Sequence, residues 1–167
     1  ADFAVIDNFK DFNVEMVFKK GVLYWNNGEL RDFEAPKIEE YLDKRAHDTF
    51  HVSTLTPDDF RDTRQRGVLG MVPGEIITTD NGYADHVDLE KDILKIAVVE
   101  RHKGTHHIGL GYIQGYGLKS GAVATSISHD SHNIIVVGTN SADMAFAANY
   151  IVEHHGGIVV VENGTVK

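Results

Sequence analysis

Short apolar runs set the rhythm of the second half of this chain. Ile93 to Val99, Gly121 to Thr125, Ile134 to Val137 and Ile158 to Val161 are rich in Val, Ile and Ala and are bounded by glycine or polar residues. Runs of that length and composition read as buried strands. After Val137 the period changes. Met144, Ala147, Ala148, Ile151 and Val152 fall at the i, i+3, i+4, i+7 and i+8 positions of one face, which predicts a helix over Ala142 to His154. Asn140 or Ser141 can cap it, Asp143 favours its positive end, and Gly156 suits a left-handed residue after it. The order strand (Ala122 to Ser128), strand, helix, strand indicates an α/β or α+β domain, a mixed sheet covered by helices.

The start of the chain reads differently. Ala1 to Asp7 opens as a strand. Val14, Met16 and Phe18 then alternate with Glu15, Val17 and Lys19, the period of a half-buried strand. Lys20-Gly21 turns the chain into Val22 to Trp25, and Asn27-Gly28 is a second hairpin-type turn. Residues 1–33 thus form a small β-hairpin piece, expected to be part of a β-sandwich, with residues 34–167 as the second domain. Exposed edges and unmatched apolar faces follow for the first piece. Ile38 to Leu42 can make a short helix, and Thr56-Pro57-Asp58-Asp59-Phe60 is a helix-start signal. Arg61 to Arg66 reads as a solvated charged stretch. Val68 to Val72 and Glu75 to Thr79 read as strands around Pro73-Gly74, with Asp80-Asn81-Gly82 as a turn.

Composition narrows the function classes. With 167 residues and 42% hydrophobic content, one core is within reach. A formal charge of −9 argues against binding to nucleic acid or to an anionic membrane. No apolar run approaches the roughly 20 residues that span a bilayer. There is no cysteine and no leader-like opening, so cytoplasmic residence is the default expectation. The absent cysteine also excludes the small zinc deaminases, whose metal needs a Cys-x-x-Cys pair. Ala1 and Lys167 both look like cut ends, so an internal fragment of a longer protein is expected.

The most chemical segment is Ser126-Ile-Ser-His-Asp-Ser-His-Asn133, which places two imidazoles, a carboxylate, an amide and three hydroxyls between two buried strands. One reading is an Asx-type turn whose histidines satisfy backbone groups. The other is a set of functional groups rooted on rigid core. His106-His107 read as solvated loop residues, and His154 and His155 as complements to the dipole at the end of the helix. The glycine-spaced run Gly109 to Gly117 has Gln114 where a dinucleotide fingerprint needs glycine, and no helix follows, so it fits a strand or loop closely approached by another backbone.

Three blocks together resemble the C-terminal region of bacterial adenine deaminases, members of the metal-dependent amidohydrolase superfamily. They are Glu100-Arg101-His102, the glycines from Gly109 to Gly117, and His129 to Asn133 followed by Val-Gly-Thr-Asn. The likeness is strong from about Ile93 to Gly164. At Ala1 to Asp7 it is moderate, and between Phe33 and Gly74 it is weak. The resemblance implies that the intact enzyme converts adenine and water to hypoxanthine and ammonia in purine salvage, with manganese or iron in an upstream catalytic barrel and a homo-oligomeric assembly.

By the same resemblance, His129, Asp130 and His132 are the candidate catalytic residues, and Asn133, Ser131 and His102 the candidate substrate-binding ones. The chain has no His-x-His, and His129 with His132 would supply two ligands where catalytic sites usually take three or more. No metal is therefore assigned to this chain, and the fragment alone is expected to be inactive. Two further readings stay open. One is a noncatalytic assembly module of the same enzyme, with His129 and Asp130 as buried scaffold. The other is an independent metal-binding domain.

Overall fold

A computed structural model describes residues 1–32 and 34–167. They fall into two compact units, Ala1–Glu39 and Glu40–Lys167. The expected domain boundary at Phe33 lies outside the described residues.

The first unit is an antiparallel sheet of four strands in the order β1 (Phe3–Ile6), β2 (Val14–Lys19), β3 (Val22–Asn26) and β4 (Glu29–Leu30). Both turns expected from glycine pairs are present. Lys20 (φ 52°) and Asn27 (φ 44°) adopt left-handed conformations beside Gly21 and Gly28. Phe3 stacks on Phe18 at 4.6 Å between ring centroids, and Trp25 donates its ring N–H to the Val14 carbonyl at 3.4 Å. Among the described residues of this unit none is fully buried, and Phe3, Val14 and Leu30 are exposed.

The second unit is an α+β fold. Its mixed sheet has eight strands: β5 (Arg66–Met71), β6 (Thr78–Ala84), β7 (Ile93–Val99), β8 (Ile108–Gln114), β9 (Ala122–Thr125), β10 (Ile134–Gly138), β11 (Ile158–Glu162) and β12 (Thr165–Val166). They lie in the order β12-β11-β9-β10-β7-β8-β5-β6, and among the described pairings only β5 with β8 is parallel. The four apolar runs that dominate the sequence are therefore four adjacent central strands or their close neighbours. Antiparallel register sends alternate residues to opposite faces. Ala122, Ala124, Ile134, Val136, Ala97 and Val161 point to one face and, with Phe60, Met144, Ala148 and Ile151, make the main core.

Helix α2 (Ser141–Glu153) covers that face. Asn140 caps it, its side chain accepting from the Asp143 N–H at 2.8 Å. Asp143 is buried, and its carboxylate receives Asn140 Nδ2 (2.8 Å) and the N–H groups of Gly164 (2.8 Å) and Asn163 (3.2 Å), tying the helix start to the β11–β12 turn. Desolvation would raise this carboxyl, but those three hydrogen bonds outweigh it and hold it below its ordinary value.

Several local expectations are corrected. Helix α1 spans Glu40–His47, later and longer than the expected Ile38 to Leu42, and buries no residue. Of the two helices, α2 is the one that packs on the sheet. Thr56 starts a 3₁₀ turn, Pro57–Phe60, through a capping box with Asp59. Asp80-Asn81-Gly82 is not a turn: it lies inside β6, and the reversal between β5 and β6 is made earlier, where the Glu75 N–H meets the Val72 carbonyl at 3.1 Å. Arg61 to Arg66 is not uniformly solvated. Asp62, whose side chain is only 5% exposed, accepts from Arg64 (3.0 Å) and Arg66 (2.6 Å). Arg64 above all holds its carboxyl well below the usual range. The expected strand through Ser128 stops at Thr125: the Ser126 N–H still bonds the Gly157 carbonyl, but the Gly157 N–H returns to the Ser126 hydroxyl (3.0 Å) and not to its carbonyl. At the end of α2 Gly156 has the expected positive φ (118°), and His155 before it is left-handed as well (φ 56°).

Candidate functional site

Register alone brings two loops together. Ile134 at the start of β10 pairs with Val99 at the end of β7, which also pairs with Ile108 at the start of β8. The connection 100–107 and the connection 126–133 therefore emerge side by side at one end of the sheet.

The first loop is a frame. Glu100 is half-buried and accepts from the N–H of His102 (2.6 Å), the N–H of Lys103 (3.0 Å) and the hydroxyl of Thr105 (2.9 Å). Partial burial, the largest single influence, pushes its carboxyl up. The hydrogen bonds from His102, Thr105 and Lys103 together outweigh it and hold the group at about 2 instead of 4.5. A carboxyl depressed on folding contributes stability above its unfolded value, and that contribution is lost as pH falls through its folded value. The difference in urea midpoint between wild type and Glu100→Gln should thus be constant above about pH 5 and shrink progressively toward pH 2. A difference that stays flat across this range would contradict the loop frame.

Arg101 and His102 then hold the second loop. Arg101 Nε donates to the His132 carbonyl, while Nη1 donates to the carbonyl (2.9 Å) and hydroxyl (3.1 Å) of Thr49. Its guanidinium lies 4.2 Å from the centroid of the Phe50 ring, a cation–π contact, and burial lowers its pKa. The Arg101 N–H reaches Asn133 Oδ1 at 3.4 Å, and His102 Nε2 donates to the Ser131 carbonyl at 2.8 Å.

The second loop is a tight reversal. The His132 N–H bonds the Ser128 carbonyl (2.7 Å), the Ser131 N–H bonds the His129 carbonyl (2.9 Å), and the Ser128 and Ser131 hydroxyls meet at 3.1 Å. Asp130 (φ 67°) and His132 (φ 51°) are left-handed, a conformation that non-glycine residues rarely adopt. His129 Nδ1 lies 3.1 Å from Asp130 Oδ1, and their side chains are 97% and 90% exposed.

All six sequence-derived candidates therefore share one end of the sheet, in two classes. His129, Asp130 and His132 are exposed at the tip. His102, Ser131 and Asn133 contribute a ring nitrogen, a carbonyl and an amide oxygen to the bracing. An exposed imidazole beside a carboxylate can relay a proton, and Asn133 keeps its Nδ2 to donate. Among the described residues, no three His, Cys, Asp or Glu converge as a metal site. The expectation for His106 is corrected: its Nε2 donates to Asp59 (2.9 Å) and its Nδ1 meets the Ser53 hydroxyl (2.8 Å), so it clasps the 3₁₀ turn. Arg101, Thr49 and Phe50 were not legible as one unit, since 50 residues lie between Phe50 and Arg101. The available signal was a lone aromatic in a polar stretch.

Comparison with known proteins adds the following. The family model described as the adenine deaminase C-terminal domain matches residues 74–167. The adenine deaminase of Petrotoga mobilis is 40% identical over 180 residues, covering 98% of this chain. That of Brucella anthropi is 38% identical over 177 residues and that of Lysinibacillus sphaericus 36% identical over 177, each covering 99% of this chain. The chain spans about 30% of the length of each of these relatives. Among the described residues, no helix is long and apolar enough to cross a membrane.

Proposed function

The chain belongs to the adenine deaminase C-terminal domain family, and on that premise we propose that it completes the reaction chamber of a longer polypeptide that hydrolyses adenine to hypoxanthine and ammonia. The observation that carries this reading is the braced tip. Two loops are fastened to each other by Arg101 and His102, and the second offers His129, Asp130 and His132 outward from a rigid sheet. Catalytic groups need this combination of exposure and fixed position.

In this role Asp130 or His132 moves a proton to the amino group leaving C6 of the purine. Asn133, its Oδ1 fixed on the Arg101 N–H, turns its Nδ2 to a purine ring nitrogen. His102 and Ser131 keep the tip in place. The manganese or iron implied by the family would be held by the upstream barrel, since among the described residues no three His, Asp or Glu converge to hold it. We place the intact enzyme in the cytoplasm, where a chain without cysteine needs no disulfide framework. Self-association also belongs to this reading, supported by the exposed Phe3, Val14 and Leu30 of the first unit.

Ultraviolet assay of adenine turnover tests the division of labour. The longer polypeptide should deaminate adenine, and residues 1–167 alone should not, even at high concentration with manganese. Turnover by the isolated chain, once contaminating enzyme is excluded, would overturn it. The assembly-module reading needed His129 and Asp130 as buried scaffold, and their side chains are instead 97% and 90% exposed; what remains in its favour is that His102, Ser131 and Asn133 spend hydrogen-bonding groups on holding the loops.

A further inference from the structure

The eight-stranded sheet has two faces, and α2 covers only one. On the other, paired positions form apolar ladders across five strands. One ladder runs Ile158, Thr125, Ile135, Val98 and Gly109, and a neighbouring one begins at Val160 and ends at Gly111. From β7 to β11 the positions on this face carry Leu, Ile, Val, Gly or Thr until Glu162 at the far end of β11. The chain itself closes one corner of this face, where Leu94, Ile113 and Val137 are buried among Val87, Ile96 and Leu118; the rest is open, with Ile158 66% exposed, Val160 41% and Val98 38%. A contiguous apolar surface of this kind, on a chain with net charge −9, marks a contact surface.

Two further features describe what would sit there. Gly109 and Gly111 lie inside β8 without positive φ. An added Cβ would meet nothing closer than 4.0 Å at Gly109 and 3.5 Å at Gly111. The chain's own packing therefore gives no reason for glycine at either place. Strand glycines are destabilising, and they mark places where another backbone approaches closely. Beside them, a groove of about 350 Å³ lies between the exposed Ile76–Ile77 lip and a wall that includes Ile96, Val123 and Ile135. It has room for a large apolar anchor side chain, the kind of contact that dominates interfaces.

We propose that this uncovered face is where the domain docks onto the rest of the longer polypeptide, through an apolar segment whose backbone crosses the Gly109–Gly111 floor. The inference rests on the reading of the chain as part of a longer protein. The chain is about 30% of the length of its relatives, so the larger part of such a polypeptide lies outside residues 1–167. A tethered segment acts at an effective concentration on the order of millimolar. It therefore reaches the face ahead of a second copy, which also brings a further −9 of like charge.

The test introduces an aliphatic diazirine side chain at position 158 of the longer polypeptide, irradiates it, and maps the crosslinks by mass spectrometry. Crosslinks into sequence outside residues 1–167 are expected. Crosslinks into residues 1–39, crosslinks between isotopically distinct copies, or reaction with water alone would each overturn the proposal. Hydroxyl-radical footprinting of the unmodified protein guards against misfolding of the variant. The peptide carrying Ile158 and Val160 should oxidise at least about tenfold more slowly in the native than in the urea-unfolded polypeptide, and equal rates overturn the proposal. Neither readout depends on adenine turnover. A covered face in a protein that does not deaminate adenine would therefore refute the functional reading and leave the docking surface standing.

Discussion

Asp130→Asn and His132→Ala, made in the longer polypeptide, should each lower kcat by about 10²–10⁴-fold, the usual effect of losing a positioned proton-transfer group. Melting temperature should barely move for Asp130→Asn and fall only modestly for His132→Ala. Both side chains are exposed at the tip of the 126–133 loop; Asn accepts the left-handed φ of Asp130, whereas Ala at the left-handed His132 adds a backbone cost on the order of 1 kcal/mol. The loop is held by backbone groups that survive either change: the His132 N–H to the Ser128 carbonyl, and the His132 and Ser131 carbonyls to Arg101 and His102. A scaffold role predicts the reverse, with near-native turnover and a lowered melting temperature. Steady-state kinetics and thermal denaturation on the same preparations separate the two. That second outcome would leave the assembly module as the better account.

Gly121→Ala should have the largest effect on stability of any single methyl addition to the central sheet. Gly121 precedes β9 with φ +79°, and an added Cβ would sit 2.0 Å from the Val161 carbonyl oxygen and 3.1 Å from the Glu162 Cα. Both are backbone atoms of the neighbouring strand, so no side chain can rotate away. The Gly121 carbonyl also accepts from the N–H and hydroxyl of Thr139, which joins β10 to the helix cap. Strain at a position that only glycine fits belongs to the exceptional class of substitutions, at about 3–5 kcal/mol. For a unit of this size that is a fall on the order of 10 °C in melting temperature. Calorimetry or circular dichroism would show it. A variant that melts within about 2 °C of wild type would mean that β9 and β11 can slide apart.

Local chemistry determined much of this molecule before any folding. The runs Ile93 to Val99 and Ile134 to Val137 read as buried strands from their length and β-branched content, and the spacing of Met144, Ala147, Ala148 and Ile151 as a helix buried along one stripe; both are so in the structure. Asn140 was a cap because a short amide next to a helical run can accept the orphan N–H of Asp143. The family was legible from three motif blocks whose order and spacing do not depend on the fold. The misreadings occurred where local signals were weak or outvoted. Asp80-Asn81-Gly82 has turn chemistry, but the ladder between β5 and β6 runs through it, pairing Asp80 with Leu69. Gly156 takes positive φ as its chemistry suggests, but His155 before it is left-handed too, with the His155 N–H on the Val152 carbonyl and the Gly156 N–H on the Ile151 carbonyl.

Only the tertiary structure decided which polar residues brace and which are offered. Nothing near Arg101 in sequence foretells that its guanidinium spans Thr49, Phe50 and His132, because those partners come from chain segments tens of residues away. Nor does the run His129 to Asn133 distinguish the exposed Asp130 from Asn133, whose amide oxygen is engaged. The sheet's second face is a similar case. Its apolar residues were plain in the sequence, but alternation across paired strands was needed to show that they form one surface and that α2 covers only the other. Helix and strand periods are properties of neighbours along the chain, readable one residue at a time. Bracing, exposure and uncovered surface depend on distances between segments, and these exist only once register has been set.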